Sequence, residues 1–171
     1  MRRLFCVFLS LLLCFGLFGC KKEEAPLLAP VEFFYLHSTF SYTNTDTVMG
    51  SELRESAGHE EDLIYLLNLY LQGPQSEALA QIFPKGCSTV SCAQKNSAVT
   101  IVLSDAFATL SGMELTTACV CLAKTLTGLT GVETVVIQAE TQLLDGKKNI
   151  TIQDGAPILL DDYIAPTQSD S

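Results

Sequence analysis

Ala98-Val99-Thr100-Ile101-Val102-Leu103 is the stretch on which the fold turns. It carries no charge, and Val99, Thr100, Ile101 and Val102 are β-branched, so it suits a pleated surface and is apolar enough to lie inside a sheet. Upstream, Cys87 to Ala93 reads as a second strand, with Gln94-Lys95-Asn96-Ser97 between the two, which predicts an antiparallel hairpin. Downstream, a helix is expected from about Gly112 to Gly128, because Leu115, Cys119, Leu122 and Leu126 recur at helical spacing. Val132 to Ala139 then alternates partly as a strand. Asp145-Gly146 is a turn signal before the short segment Asn149 to Ile152.

Working back toward the N-terminus, Pro84-Lys85-Gly86 marks a turn. Another helix is predicted from about Gly58 to Gln72, with Leu63, Leu66, Leu67 and Tyr70 on one face. Glu60, Glu61 and Asp62 fall in its expected first turn, where the macrodipole favours negative charge, and Gly73-Pro74 ends it. Val31 to Leu36 is β-branched and aromatic, a first strand. Residues 37–50 are rich in Ser, Thr, Asn and Asp and read as a loop, with room for a short strand near Ser41 to Thr43. The expected class is α+β: one compact two-layer domain over 31–165, in the order β-α-β-β-α-β with a short C-terminal strand. The tail at 166–171 is expected to be disordered.

The first twenty residues belong to a different problem. Arg2 and Arg3 precede an apolar run from Leu4 to Phe18, broken only by Ser10 and Gly16. Such a run is shorter than the roughly 20 residues a bilayer core requires, and it has the length of a signal-peptide core, so 1–19 is assigned as a signal peptide. Leu17-Phe18-Gly19-Cys20 at its end resembles the lipobox of bacterial lipoproteins. The thiol of Cys20 would take a diacylglycerol as a thioether, and Gly19 would let a peptidase reach the bond before it. Lys21, Lys22, Glu23 and Glu24 stop the apolar run, and 20–30, with Pro26 and Pro30, reads as an extended tether. The expected location is the outer face of the cytoplasmic membrane, with the membrane engaged through Cys20.

Removing 19 residues would leave 171 − 19 = 152, enough for one domain with a core. All 19 acidic residues and 8 of the 10 basic ones lie in that part, a formal charge of 8 − 19 = −11. Phosphates and anionic headgroups repel such a chain, which excludes nucleic acid as a partner and leaves membrane contact to the lipid.

The ordered pieces resemble the GerMN domain, named for sporulation and germination proteins and found on many lipoproteins of Gram-positive bacteria. The resemblance rests on Phe33 to Leu36, Leu66 to Pro74, Pro84 to Gly86, Val90 to Leu103, Leu115 to Leu126 and Val132 to Ile137, and spans roughly 31–155. Two stretches depart from the family pattern: Val102-Leu103-Ser104-Asp105-Ala106-Phe107 after the middle strand, and Gln138-Ala139-Glu140 where a glycine is frequent. The resemblance implies an α+β module without an agreed catalytic constellation. It also implies a role in binding cell-wall material (peptidoglycan) or envelope proteins, and related modules build rings in sporulating cells.

The remaining motifs carry little chemistry. Cys6 and Cys14 would leave with the signal peptide. Cys119 and Cys121 on one helix would stand about 200° apart, and Cys87 and Cys92 on one strand would lie on opposite faces, so neither pair has zinc or thioredoxin spacing. They read as small buried hydrophobes, with a strand-to-helix disulfide as the alternative that an oxidising compartment permits. No metal or cofactor is expected. His37 and His59 have no neighbour in sequence suggesting a triad, and His59 beside Glu60 and Glu61 reads as a solvated helix start. Ser104-Asp105 and Asp161-Asp162 read as loop and cap residues. Asn149-Ile150-Thr151 matches a glycosylation sequon by chance.

Three functions follow as expectations. The first is a non-catalytic binding module. The second is an envelope hydrolase or transferase, which requires His37, Ser104 and Asp105 to converge in one cleft. The third is a self-assembling scaffold.

Overall fold

In the computed structural model, which describes residues 30–39 and 48–153, Val99, Ile101 and Leu103 are fully buried at the centre of a sheet, as their pattern predicts. The elements are β1 (Pro30–His37), β2 (Met49–Glu55), α1 (Leu63–Leu71), β3 (Leu79–Ala80), β4 (Thr89–Lys95), β5 (Ala98–Leu103), a 3₁₀ helix (Asp105–Thr109), α2 (Gly112–Thr130), β6 (Thr134–Ala139) and β7 (Ile150–Gln153). The α+β class holds. The strand suggested at 41–43, the tether and the C-terminal tail lie outside the described residues.

The strands form two sheets, not one. A four-stranded sheet runs β4-β5-β6-β7, and a three-stranded sheet runs β2-β1-β3. β5 and β6 are parallel, which α2 makes possible by crossing between them, while β4 and β7 add antiparallel at the edges. One core cluster joins both sheets and both helices, from Phe33 and Tyr35 through Leu67 and Tyr70 to Ile101, Leu122 and Ile137.

Two strands escape the sequence pattern. β2 follows the predicted loop almost directly, yet of its seven residues only Arg54 is buried. An edge strand of Glu, Ser and Arg carries no apolar alternation, so only its ladder to β1, Pro30↔Glu55 through Leu36↔Met49, defines it. Gly50 leaves room in it for two neighbouring side chains, since a Cβ there would come within 2.7 Å of His37 Cε1 and 2.8 Å of Leu79 Cδ2 and push those ends aside. β3 has two residues and covers β1 only at Leu36 and His37.

The start of α1 is corrected. The helix begins at Leu63, not near Gly58, because Ala57 and Gly58 both have positive φ (52° and 83°) and the chain turns there. Glu60 and Glu61 therefore precede the helix, and Asp62 caps it, its carboxylate accepting from Tyr65 N at 3.0 Å. α2 runs two residues beyond the predicted Gly128 and ends on Gly131 in the left-handed conformation (φ 67°). Cys87 sits in the turn after Pro84, not in the strand, which runs from Thr89 to Lys95, so Gln94 and Lys95 pair with β5 and only Asn96-Ser97 form the hairpin turn.

α2 is buried on more of its circumference than one stripe requires. The predicted Leu115, Cys119, Leu122 and Leu126 are buried, and so are Ala118, Cys121 and Thr125. It packs against β1 on one side and against β6 and β7 on the other, so it has two apolar faces and both thiols of the Cys119-x-Cys121 pair are inside.

Where β3 runs out, side chains replace the missing strand along β1. Phe34 N donates to Thr125 Oγ1 at 3.0 Å, and Phe34 O accepts from the Tyr70 hydroxyl at 2.6 Å. Tyr35 answers by donating its hydroxyl to Tyr70 O at 2.8 Å. This is why a threonine lies buried in an apolar helix. Thr125→Val keeps the shape and strands the Phe34 amide. It is expected to cost about 1–3 kcal/mol in urea unfolding, and a loss below a few tenths would mean that water reaches that amide.

Candidate functional site

α1 and β4 meet along the free edge of the four-stranded sheet. Asn68 Oδ1 accepts from Thr89 N at 2.8 Å, so the helix satisfies the strand's edge at that end. Toward Cys92 the two diverge and leave an open groove of about 670 Å³, lined by the 58–64 segment and by Cys92. Two exposed side chains define its character. His59 stacks on Tyr65 with ring centroids 4.0 Å apart at 23°, and Ile64 is 42% exposed. The acidic side chains are Glu60, Glu61 and Asp62. The Ser56 hydroxyl donates to Glu60 at 2.7 Å and holds its carboxyl below the usual range. No lysine or arginine pairs with the three among the described residues, where Arg54 pairs with Glu52 instead.

A second groove of about 400 Å³ lies between the β1–β3 end of the three-stranded sheet and the stretch from the 3₁₀ helix into α2. Leu36, Ile82, Phe83 and Leu110 give it apolar walls, with Glu114 and Thr117 from the first turns of α2 at its rim. Its phenyl ring is buried, so it offers no exposed aromatic face.

The residues suspected of catalysis are each committed elsewhere. His37 ends β1 against Gly50. Ser104 Oγ accepts from Ser88 N at 3.1 Å. The Asp105 carboxylate accepts from Thr141 N at 2.8 Å and Gln142 N at 3.1 Å, and those bonds, the Thr141 hydroxyl first, hold it below the ordinary carboxylate range. It pins the 141–142 loop to the 3₁₀ helix. His37, Ser104 and Asp105 thus do not converge in one cleft. His59, read from sequence as a solvated helix start, is instead the ring of the groove that stacks on Tyr65. The signal that could have found it is the His59–Tyr65 separation across a capped helix start, which is legible only once Asp62 is placed as the cap. Cys20, Asp161 and Asp162 lie outside the described residues.

Cys87, Cys92, Cys119 and Cys121 are free thiols. Burial pushes Cys119 and Cys121 up to about 12 and Cys87 to about 11, the latter eased by Ser104, so these sulfurs are poor nucleophiles at neutral pH. Among the described residues no three His, Cys, Asp or Glu side chains gather to hold a metal ion. None of the described helices is long and apolar enough to cross a membrane.

Comparison with known proteins gives the following. The Germane family, described as sporulation and spore germination, matches residues 34–145, more than half of the chain. The 2.5 Å crystal structure of a candidate lipoprotein from Clostridium perfringens is 22% identical, with a TM-score of 0.46, over 77% of this chain and 93% of that one. The tandem GerMN domains of the sporulation protein GerM from Bacillus subtilis are 19% identical, with a TM-score of 0.49, over 74% of this chain and 47% of the tandem. This chain thus spans about half the length of that tandem. No curated protein matches it.

Proposed function

This chain belongs to the Germane family of sporulation and spore germination, and from that premise we propose that it is a non-catalytic binding module, held by a lipid on Cys20 at the outer face of the cytoplasmic membrane, that engages cell-wall material or an envelope protein. The observation that carries the proposal is the groove between α1 and β4. It combines a stacked imidazole–phenol pair, an exposed isoleucine and three carboxylates that no lysine or arginine answers among the described residues. Such a mainly polar groove suits recognition, with Leu63 and Ile64 supplying apolar area and the polar groups setting orientation. A nucleophile poised against a base would support an enzyme instead, and His37, Ser104 and Asp105 are each tied to a different neighbour.

The test is a pull-down on purified peptidoglycan together with crosslinking in intact cells. Retention on peptidoglycan, or a reproducible crosslinked partner, is the expected result. Recovery of neither would remove the binding reading.

A further inference from the structure

β4 is an edge strand whose free side is only half covered. Its two-residue turn, Asn96-Ser97, closes on the Lys95↔Ala98 pair, so Lys95, Ala93 and Ser91 exchange hydrogen bonds with β5. The residues between them, Cys92 and Gln94, then aim their N–H and C=O groups away from the sheet. At Thr89 that outward amide is taken by Asn68, and the register shift between Thr89 and Ser91 marks a bulge beside it. Beyond that bulge, from Cys92 to Gln94, the edge carries no proline and no charge, and no strand covers it among the described residues.

We propose that this edge docks an extended, basic peptide segment of an envelope protein, which adds to the four-stranded sheet as a strand beside β4. The proposal rests on the binding-module reading and names its partner class. An added strand would pair with the outward groups of Cys92 and Gln94 and would lie in the groove between β4 and α1. The opposite wall is the start of α1, where Glu60, Glu61 and Asp62 meet alternate side chains of the incoming strand, so complementarity selects lysine and arginine. Ile64 and Val90, 42% and 45% exposed, flank the edge and supply apolar contact. Lys95 at the far end repels a basic partner, which confines pairing to the Cys92–Gln94 stretch.

The experiment uses the full chain purified in mild detergent and a short synthetic peptide alternating Lys and Val, with a Glu-Val peptide as control. The Lys-Val peptide is expected to bind saturably and to slow amide hydrogen exchange at Cys92 and Gln94 by about tenfold. Gln94→Pro removes an outward donor and leaves the β5 ladder whole, so it should abolish that binding while the Thr100 amide stays protected. Glu61→Lys, at an exposed position, should weaken it by about fivefold and keeps the test decisive if the proline variant unfolds. Equal binding of the Glu-Val peptide, or protection confined to other strands, overturns the proposal. In cells, a photocrosslinker at Leu53 that captures a partner while one at Gln94 does not would sink this site and leave the binding reading standing. Capture at neither, with no retention on peptidoglycan, would sink both.

Discussion

Alanine in place of Cys20 is expected to take the protein out of the lipid-labelled membrane fraction, leaving either an unprocessed precursor or a form shed into the medium. The effect should be close to all-or-none. One acyl chain gives only marginal, reversible membrane binding, and stable anchoring takes more than one. The diacylglycerol added to a lipobox cysteine supplies two chains. Among the described residues no helix can cross the bilayer and so replace them, and a chain without residues 1–19 would carry a charge of −11 and be repelled by anionic headgroups. The fold should be untouched, because Cys20 precedes β1 by ten residues and belongs to no described element. Fractionation with metabolic labelling by a lipid analogue checks this. A variant that stays membrane-bound with its signal cleaved, or a wild type that takes no label, would end the lipoprotein reading.

The largest loss of stability is expected from Glu52→Ala. Glu52 sits on β2 and binds three groups from two parts of the chain. Its carboxylate accepts from Gln75 N at 2.9 Å and Ser76 N at 3.0 Å, in the segment after α1, and from Arg54 Nη1 at 3.4 Å. Arg54 is only 6% exposed, donates to Gly73 O at 3.0 Å and lies over the Phe33 ring at 5.8 Å. Alanine at 52 would leave a buried guanidinium without its counter-charge and two backbone amides without acceptors. Breaking a buried pair from one side costs about 3–5 kcal/mol, a large share of the roughly 5–15 kcal/mol of a whole domain. Urea unfolding should show it as a lower midpoint with an unchanged slope. Glu52→Gln retains one acceptor oxygen and should lose less. A loss below about 1 kcal/mol for the alanine variant would place the pair among exposed, weakly coupled ones.

The same cluster shows where sequence alone stops. Gly73-Pro74 is visible as a helix stop, because a left-handed glycine followed by proline is a local signal. That Gly73 O is also the acceptor for Arg54 is not visible, since the two are brought together by β2, which has no apolar alternation to announce it. The groove is similar. Glu60, Glu61 and Asp62 are obvious as charges, but the turn at Ala57-Gly58 delays α1, places Glu60 and Glu61 outside it, and so sets His59 and the acids facing β4. The Cys119-x-Cys121 spacing was legible as two directions on a helix. What made both directions buried was the second sheet.

By itself the sequence determined the interior strand Ala98 to Leu103, its hairpin with the strand before it, the stripe Leu115-Cys119-Leu122-Leu126 and the Asp145-Gly146 turn. Each of these is stabilised by neighbours a few residues away, or shows an apolar period that only one backbone conformation can bury. Tertiary structure alone decided the split into two sheets, the strands β2 and β3, the burial of Thr125 and the open edge of β4. Their hydrogen-bond partners lie far along the chain: β2 pairs with β1 across the 38–48 segment, and Thr125 Oγ1 serves an amide 91 residues away. A polar strand or a buried hydroxyl leaves no periodic trace in its own sequence, because the group that satisfies it is supplied by the fold.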